Sequence, residues 1–213
     1  MKNIVKTVFL VTLFFIASSC KEEPKITYKY SDQPDVIDCE GLANEQLLLE
    51  AFYSFEEDLK KQFILPSDPN PMIQRAYAAF ISRNSGRQLP VIPDMVSQHS
   101  LDIYKELAKT DLFLDGKLNP NSKLTNCIAN NIKNEQVKTT FNALKSTNSL
   151  SPELVAAAVF NVGPRAYQEE ALKVYFAFGL YFAKFNAIDE ATLPINKKED
   201  NANNKSTGIG NGK

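Results

Sequence analysis

The chain of 213 residues has no tryptophan, one histidine (His99), eight glycines and three cysteines. No Cys-x-x-Cys occurs, so neither a redox dithiol nor a zinc constellation is expected. No Asp-x-Asp-x-Asp-Gly calcium loop or phosphate-cradling glycine loop is present either. Scarce glycine and few Val/Ile/Thr alternations argue against a β-sandwich or barrel. No strong charge of either sign exists: Lys and Arg number 24, Asp and Glu 25, for a net −1. That balance gives no electrostatic case for binding nucleic acid or an anionic membrane surface. Long hydrophobic runs are missing too. The apolar stretch Val8–Ala17 has about half the length a bilayer-spanning helix needs, about 20 residues.

That stretch sits in an ordered context. Lys2 and Lys6 are the only charges before Lys21, and two small residues, Ser18 and Ser19, follow the apolar run. Charge, apolar run and small residues in this order make a secretory signal peptide. A cysteine, Cys20, comes next. The stretch resembles the lipobox of bacterial lipoproteins, whose signal peptide is cut before a cysteine that carries diacylglycerol and acyl chains such as palmitate. The resemblance implies residues 1–19 as signal peptide and Cys20 as the lipidated first mature residue. Several acyl chains on one residue give firm anchoring where one gives marginal anchoring. Ala17 stands where the family usually has leucine. Ala17 and Ser19 also satisfy the small-x-small rule of ordinary signal peptidase, and a cut there leaves Cys20 unmodified. Lys21-Glu22-Glu23 is similar to the signal that sends some lipoproteins to the cell surface. The expected place is the outer membrane, exposed at the surface, with its periplasmic face as the alternative.

Loss of residues 1–19 leaves 194 residues and moves the net charge from −1 to −3, since Lys2 and Lys6 leave. This length suits one domain with its own core. Outside the cytoplasm the remaining pair, Cys39 and Cys127, is expected to form a disulfide. Two buried free thiols are the alternative.

Residues 20–38 read as a lipidated tether, with an edge strand expected over Ile26–Tyr30, and residues 39–194 as the domain. At about 3.3 Å per residue the polar stretch 21–36 reaches at most about 50 Å. Leu48, Phe52, Phe55, Leu59 and Phe63 share one helical face and predict a helix over Leu42–Phe63. Asn70 and Pro71 open a second helix that ends near Asn84–Gly86. Helices are further predicted over Asp94–Lys109, Asn121–Ile132 and Asn134–Lys145. Another should start at Ser151-Pro152-Glu153 and end at Gly163-Pro164. Asp115-Gly116 predicts a tight turn. The last helix, about Arg165 to Asn186, is apolar all round at 174–182, which marks it as buried. The expected fold is all-α: a single-domain bundle or array of six or seven helices around that aromatic helix. Residues 195–213 lack apolar content and read as a disordered tail.

Catalytic candidates are thin. His99 has Ser97, Ser100 and Asp102 nearby, but such close neighbours on a helix point in different directions. His99 therefore reads as a surface histidine. Glu56-Glu57-Asp58 and Glu169-Glu170 read as solvated helix faces; a glycosidase would need two acids converging at about 5–9 Å. Asp111, Asp115 and Gly116 come nearest to a calcium loop. The aromatics of 167–185 read as core. The alternative makes Tyr167, Tyr175 and Tyr181 the wall of an apolar pocket, with Arg165 meeting an acidic headgroup. No cofactor is expected. The sequence thus points to a lipid-anchored envelope module that binds a protein partner or ligand, rather than an enzyme. A hydrolase using dispersed carboxylates and an apolar-ligand carrier are the rivals.

Overall fold

The computed structural model describes residues 26–67, 72–85, 92–190 and 193. The expected signal peptide (1–19), Cys20, the expected helix start at Asn70-Pro71 and the expected tail at 195–213 lie outside these. Eight α-helices and one small hairpin are found among the described residues. They are α1 (Glu45–Phe63), α2 (Ile73–Ser85), α3 (Ile92–Met95), α4 (Gln98–Leu107), α5 (Lys123–Asn131), α6 (Glu135–Ser146), α7 (Pro152–Val162) and α8 (Glu170–Tyr175). Strands β1 (Phe113–Leu114) and β2 (Lys117–Leu118) pair antiparallel before α5. The fold is all-α, as the apolar periodicity predicts.

The helix ends follow local chemistry. Ser97, Ser122, Asn134 and Ser151 each accept a backbone N–H from three residues on, as N-caps. Pro152 occupies the first turn of α7, and Gly163 closes it at φ 86°. Asp115 (φ 50°) and Gly116 (φ 70°) make the two-residue turn that joins β1 to β2.

Four expectations change. Helix α1 starts at Glu45 rather than Leu42, because Gly41 (φ 68°) and Asn44 (φ 59°) hold the chain in the left-handed region. The helix predicted over Asp94–Lys109 divides into α3 and α4, because Ser97 is extended and caps α4; Ala108, expected inward, is exposed. No strand forms at Ile26–Tyr30. The last helix is not uniform either. A 3-10 turn (Ala166–Gln168) precedes α8, and an extended Glu169 (ψ 125°) separates the two. The Glu169 carboxylate accepts the Lys133 amide at 2.9 Å, at the entry to α6. After α8 the helix widens into a π segment (Phe176–Tyr181) and then tightens to 3-10 geometry (Phe182–Ala187).

This last segment is the centre of the core. All six residues of the π segment are buried. Rings from three helices meet it and the end of α8: Tyr181 lies 5.2 Å from Phe55 of α1, Phe176 5.9 Å from Tyr77 of α2, and Tyr175 of α8 5.3 Å from Phe141 of α6. Helix α2 packs on α7, and Ala76 and Ala156 are both fully buried. Among the described residues no helix is long and apolar enough to cross a membrane.

Candidate functional site

Helix α1 carries a polar stripe on its buried side. Glu50, Ser54 and Asp58 are spaced i, i+4, i+8, so they lie along one side of the helix. All three are buried, the two acids at 1% exposure each. Helix α4 and its N-cap face them with Ser97, His99 and Ser100.

Asp58 Oδ2 gathers four donors. The hydroxyls of Ser100 (2.5 Å), Tyr181 (2.7 Å) and Ser97 (3.0 Å) reach it, as does the Ser97 amide (3.3 Å). Ser54 and Ser100 join through their hydroxyls at 2.6 Å; since Ser100 donates to Asp58, Ser54 is the donor here. Burial pushes the Asp58 carboxyl above its ordinary value, while the hydroxyls of Ser100, Tyr181 and Ser97 pull it back. Burial also pushes the Tyr181 phenol well up, and the Asp58 charge adds to this.

Two turns earlier, Glu50 holds the incoming chain. Its carboxylate accepts the amides of Lys29 and Tyr30, each at 2.9 Å, and His99 Nε2 lies 2.6 Å from its Oε1. Tyr53 adds a bond from its hydroxyl to the Pro34 carbonyl at 2.9 Å. Residues 29–34 therefore lie docked along α1.

The docked segment continues into a strap over residues 35–42. The disulfide Cys39–Cys127 ties it to α5, with Cα atoms 5.8 Å apart. Lys123 Nζ adds a bond to the Gly41 carbonyl at 3.0 Å. Between strap, α1 and α8 lies a cleft of about 470 Å3. Its floor includes Leu48, Phe52, Val174 and Phe178. That volume falls within the usual range of small-molecule sites.

The residues singled out from sequence fall in different places. Cys39 and Cys127 are bonded to each other. His99 is not a surface histidine; its side chain is 15% exposed and faces the buried Glu50. Asp58 is no part of a solvated acidic face, because α1 turns it toward Ser100 and Tyr181. His99 and Ser100 serve different carboxylates and form no nucleophile–base pair. Asp102 accepts from Gln98 at 2.9 Å near the surface. Glu50 and Asp58, eight residues apart on one helix, are separated by about 12 Å along its axis. Arg165 is exposed, whereas Tyr167, Tyr175 and Tyr181 are buried. Tyr181 turns to Asp58, and the Tyr175 hydroxyl is buried without a hydrogen-bond partner among the described residues. None of these four lines the cleft. Among the described residues no cluster of His, Cys, Asp and Glu could hold a metal ion.

Sequence reasoning missed both the polar stripe and the cleft. The stripe had a signal, the i, i+4, i+8 spacing of Glu50, Ser54 and Asp58 beside an apolar face. The cleft had only an indirect one, Cys39 in a proline-bearing segment just before α1. Compared with protein-family models, curated proteins and solved structures, the chain has no match in any of the three.

Proposed function

We propose that this chain is a lipid-anchored protein of the bacterial cell envelope that acts by binding, through the cleft beneath residues 35–42. The cleft carries the binding half of the reading. It combines an apolar floor with an open, polar mouth, and one wall is fastened by a disulfide. The resemblance of residues 8–20 to a lipobox carries the anchoring half, with Cys20 as the acylated residue. The disulfide is in keeping with an oxidising compartment. Lys21-Glu22-Glu23 favours the outer membrane and the cell surface over its periplasmic face.

Docking of the chain from Lys29 onward shortens the tether. Eight residues lie between Cys20 and Lys29, and nine steps at about 3.3 Å reach at most about 30 Å instead of about 50 Å. The domain would then ride close to the membrane, with the Glu50 end of α1 toward the anchor. Binding is favoured over hydrolysis because the buried acids Glu50 and Asp58 are engaged by backbone amides, hydroxyls and an imidazole, and face no common space. Binding in a closed, dry cavity is disfavoured by the exposed Asp35, Asp38 and Glu40 at the mouth.

Two measurements on cells test this. Intact-mass analysis of the membrane-extracted protein should give Cys20 as first residue with diacylglycerol mass; an unmodified Cys20 would sink the anchoring half. A photo-crosslinking side chain at Val36, on the cleft wall, should capture a ligand or partner that the same group at exposed Leu154 of α7 does not. Equal capture at both positions would sink the binding half.

A further inference from the structure

The mouth of the cleft carries charge of one sign. Asp35, Asp38, Glu40, Glu45 and Glu170 line it, and among the described residues no lysine or arginine does. None of the five carboxylates is ion-paired among the described residues. Lys123, the lysine that reaches the strap, donates to the Gly41 carbonyl. Glu45 and Glu170 stand in the first turns of α1 and α8, where the helix dipole accommodates an acid. That accounts for two of the five. Asp35, Asp38 and Glu40 lie on the strap, outside any helix.

Like charges around a low-dielectric floor repel one another and focus a negative potential into the space they enclose. A neutral apolar guest would fill the floor and leave the repulsion in place. An anion would add to it. A cation on an apolar stem satisfies both parts at once: the stem covers the leucine and phenylalanine floor, and the head meets the carboxylates. The strap has no strand to offer a peptide backbone, and the disulfide closes the wall behind it. The occupant is therefore a small molecule rather than an extended chain.

We infer that the cleft binds a small amphipathic amine, stem down on Phe52, Val174 and Phe178, and ammonium at the ring of Asp35, Asp38, Glu40, Glu45 and Glu170. The inference rests on the binding reading above and gives it a ligand class. Octylammonium, octanol and octanoate share one stem and differ in head charge. They should be titrated calorimetrically into the full mature chain carrying Cys20→Ser, which lacks acyl groups. Octylammonium should bind at least about tenfold more tightly than octanol, and octanoate more weakly than either. Added sodium chloride should weaken only the octylammonium isotherm. The variant with all five neutralised, Asp35→Asn/Asp38→Asn/Glu40→Gln/Glu45→Gln/Glu170→Gln, should bring octylammonium to within about twofold of octanol. Its unchanged octanol affinity would show that the cleft is still formed. Equal binding of octylammonium and octanol by the unaltered cleft overturns the amine. So does an ammonium preference that survives loss of all five carboxylates, because the head group then sits elsewhere. Selective capture at Val36 without an ammonium preference defeats this inference and leaves the binding reading standing. Equal capture at Val36 and Leu154 defeats both.

Discussion

The Tyr181 hydroxyl donates to Asp58 Oδ2 at 2.7 Å, joining residues 123 positions apart in the chain. Tyr181 ends the π segment at the centre of the core, and Asp58 lies about one and a half turns from the end of α1. The bond ties the last helical segment to the first. Ser97 and Ser100 bring α4 to the same oxygen, so one buried carboxylate fixes three elements in register. Apolar contacts alone tolerate sliding; a convergent acceptor does not.

Removing that acceptor should be costly. Asp58→Ala leaves three hydroxyls without it and should lower stability by about 3–5 kcal/mol. Tyr181→Phe removes one donor and should cost about 1.5–3 kcal/mol. Urea unfolding measures both. The same carboxyl sets a pH dependence. Its folded value lies above the ordinary 3.8, so between the two the native state keeps a proton that the unfolded chain has released. The contribution is full below the unfolded value and is lost as pH rises through the folded one. The difference between unaltered protein and Asp58→Asn in urea should therefore carry a falling slope across that window, and an equal slope in both would refute it.

Tyr175 and Gly179 should respond with opposite signs. The Tyr175 hydroxyl is buried with no partner among the described residues, so Tyr175→Phe removes an unpaired polar group and should be neutral or stabilising by about 1 kcal/mol. A Cβ on Gly179 would fall onto the Tyr175 ring, within 2.8 Å of Cζ. That ring is fully buried against Phe141 and has no room to yield. Gly179→Ala should therefore cost about 1–3 kcal/mol as overpacking. Thermal melts of the two variants decide the matter.

Legibility in the sequence followed the kind of force involved. Helices with an apolar stripe and a capping serine, such as α5 and α7, are local objects and were readable. The extended Ser97 is a cap as well, yet the apolar residues on both sides mask it, and α3 and α4 read as one helix. Glu50 and Asp58 were illegible for a different reason. A buried acid is distinguished from a solvated one only by its partners, and these are distant: Lys29 and Tyr30 for one, Tyr181 for the other. The cleft depends on where the strap lies over α1, which no spacing in the chain specifies.

Glu50 should control the docking of residues 29–34. Glu50→Gln replaces an acceptor facing two amides with a group that is half donor. The variant should lose about 2–4 kcal/mol, and the Lys29 and Tyr30 amides should lose their hydrogen-exchange protection. His99→Ala leaves the two amide bonds in place, so protection at Lys29 and Tyr30 should largely persist. Equal protection in the unaltered chain and in Glu50→Gln would show that Tyr53 and the disulfide hold the segment unaided.

The disulfide should matter for both stability and the cleft, and the two effects separate. Cys39 and Cys127 stand 88 positions apart, and closing so long a loop restricts the unfolded chain by about 4 kcal/mol in the chain-entropy model. Cys39→Ser and Cys127→Ser should each lose a share of that, since either leaves the loop open. In the folded state the bond fixes the strap, the wall that carries Asp35, Asp38 and Glu40. Reduction should therefore weaken octylammonium binding more than octanol binding, because the floor on α1 and α8 remains while the charged wall loosens. Protein exported and acylated at Cys20, as proposed, should contain no free thiol, and a chain of residues 20–213 made in a reducing cytosol should contain three, at Cys20, Cys39 and Cys127. Thiol counting under denaturing conditions, followed by the same titrations before and after reduction, checks each step. Full ammonium preference in the reduced chain would show that Glu45 and Glu170 supply the charge and that the strap is only a cover.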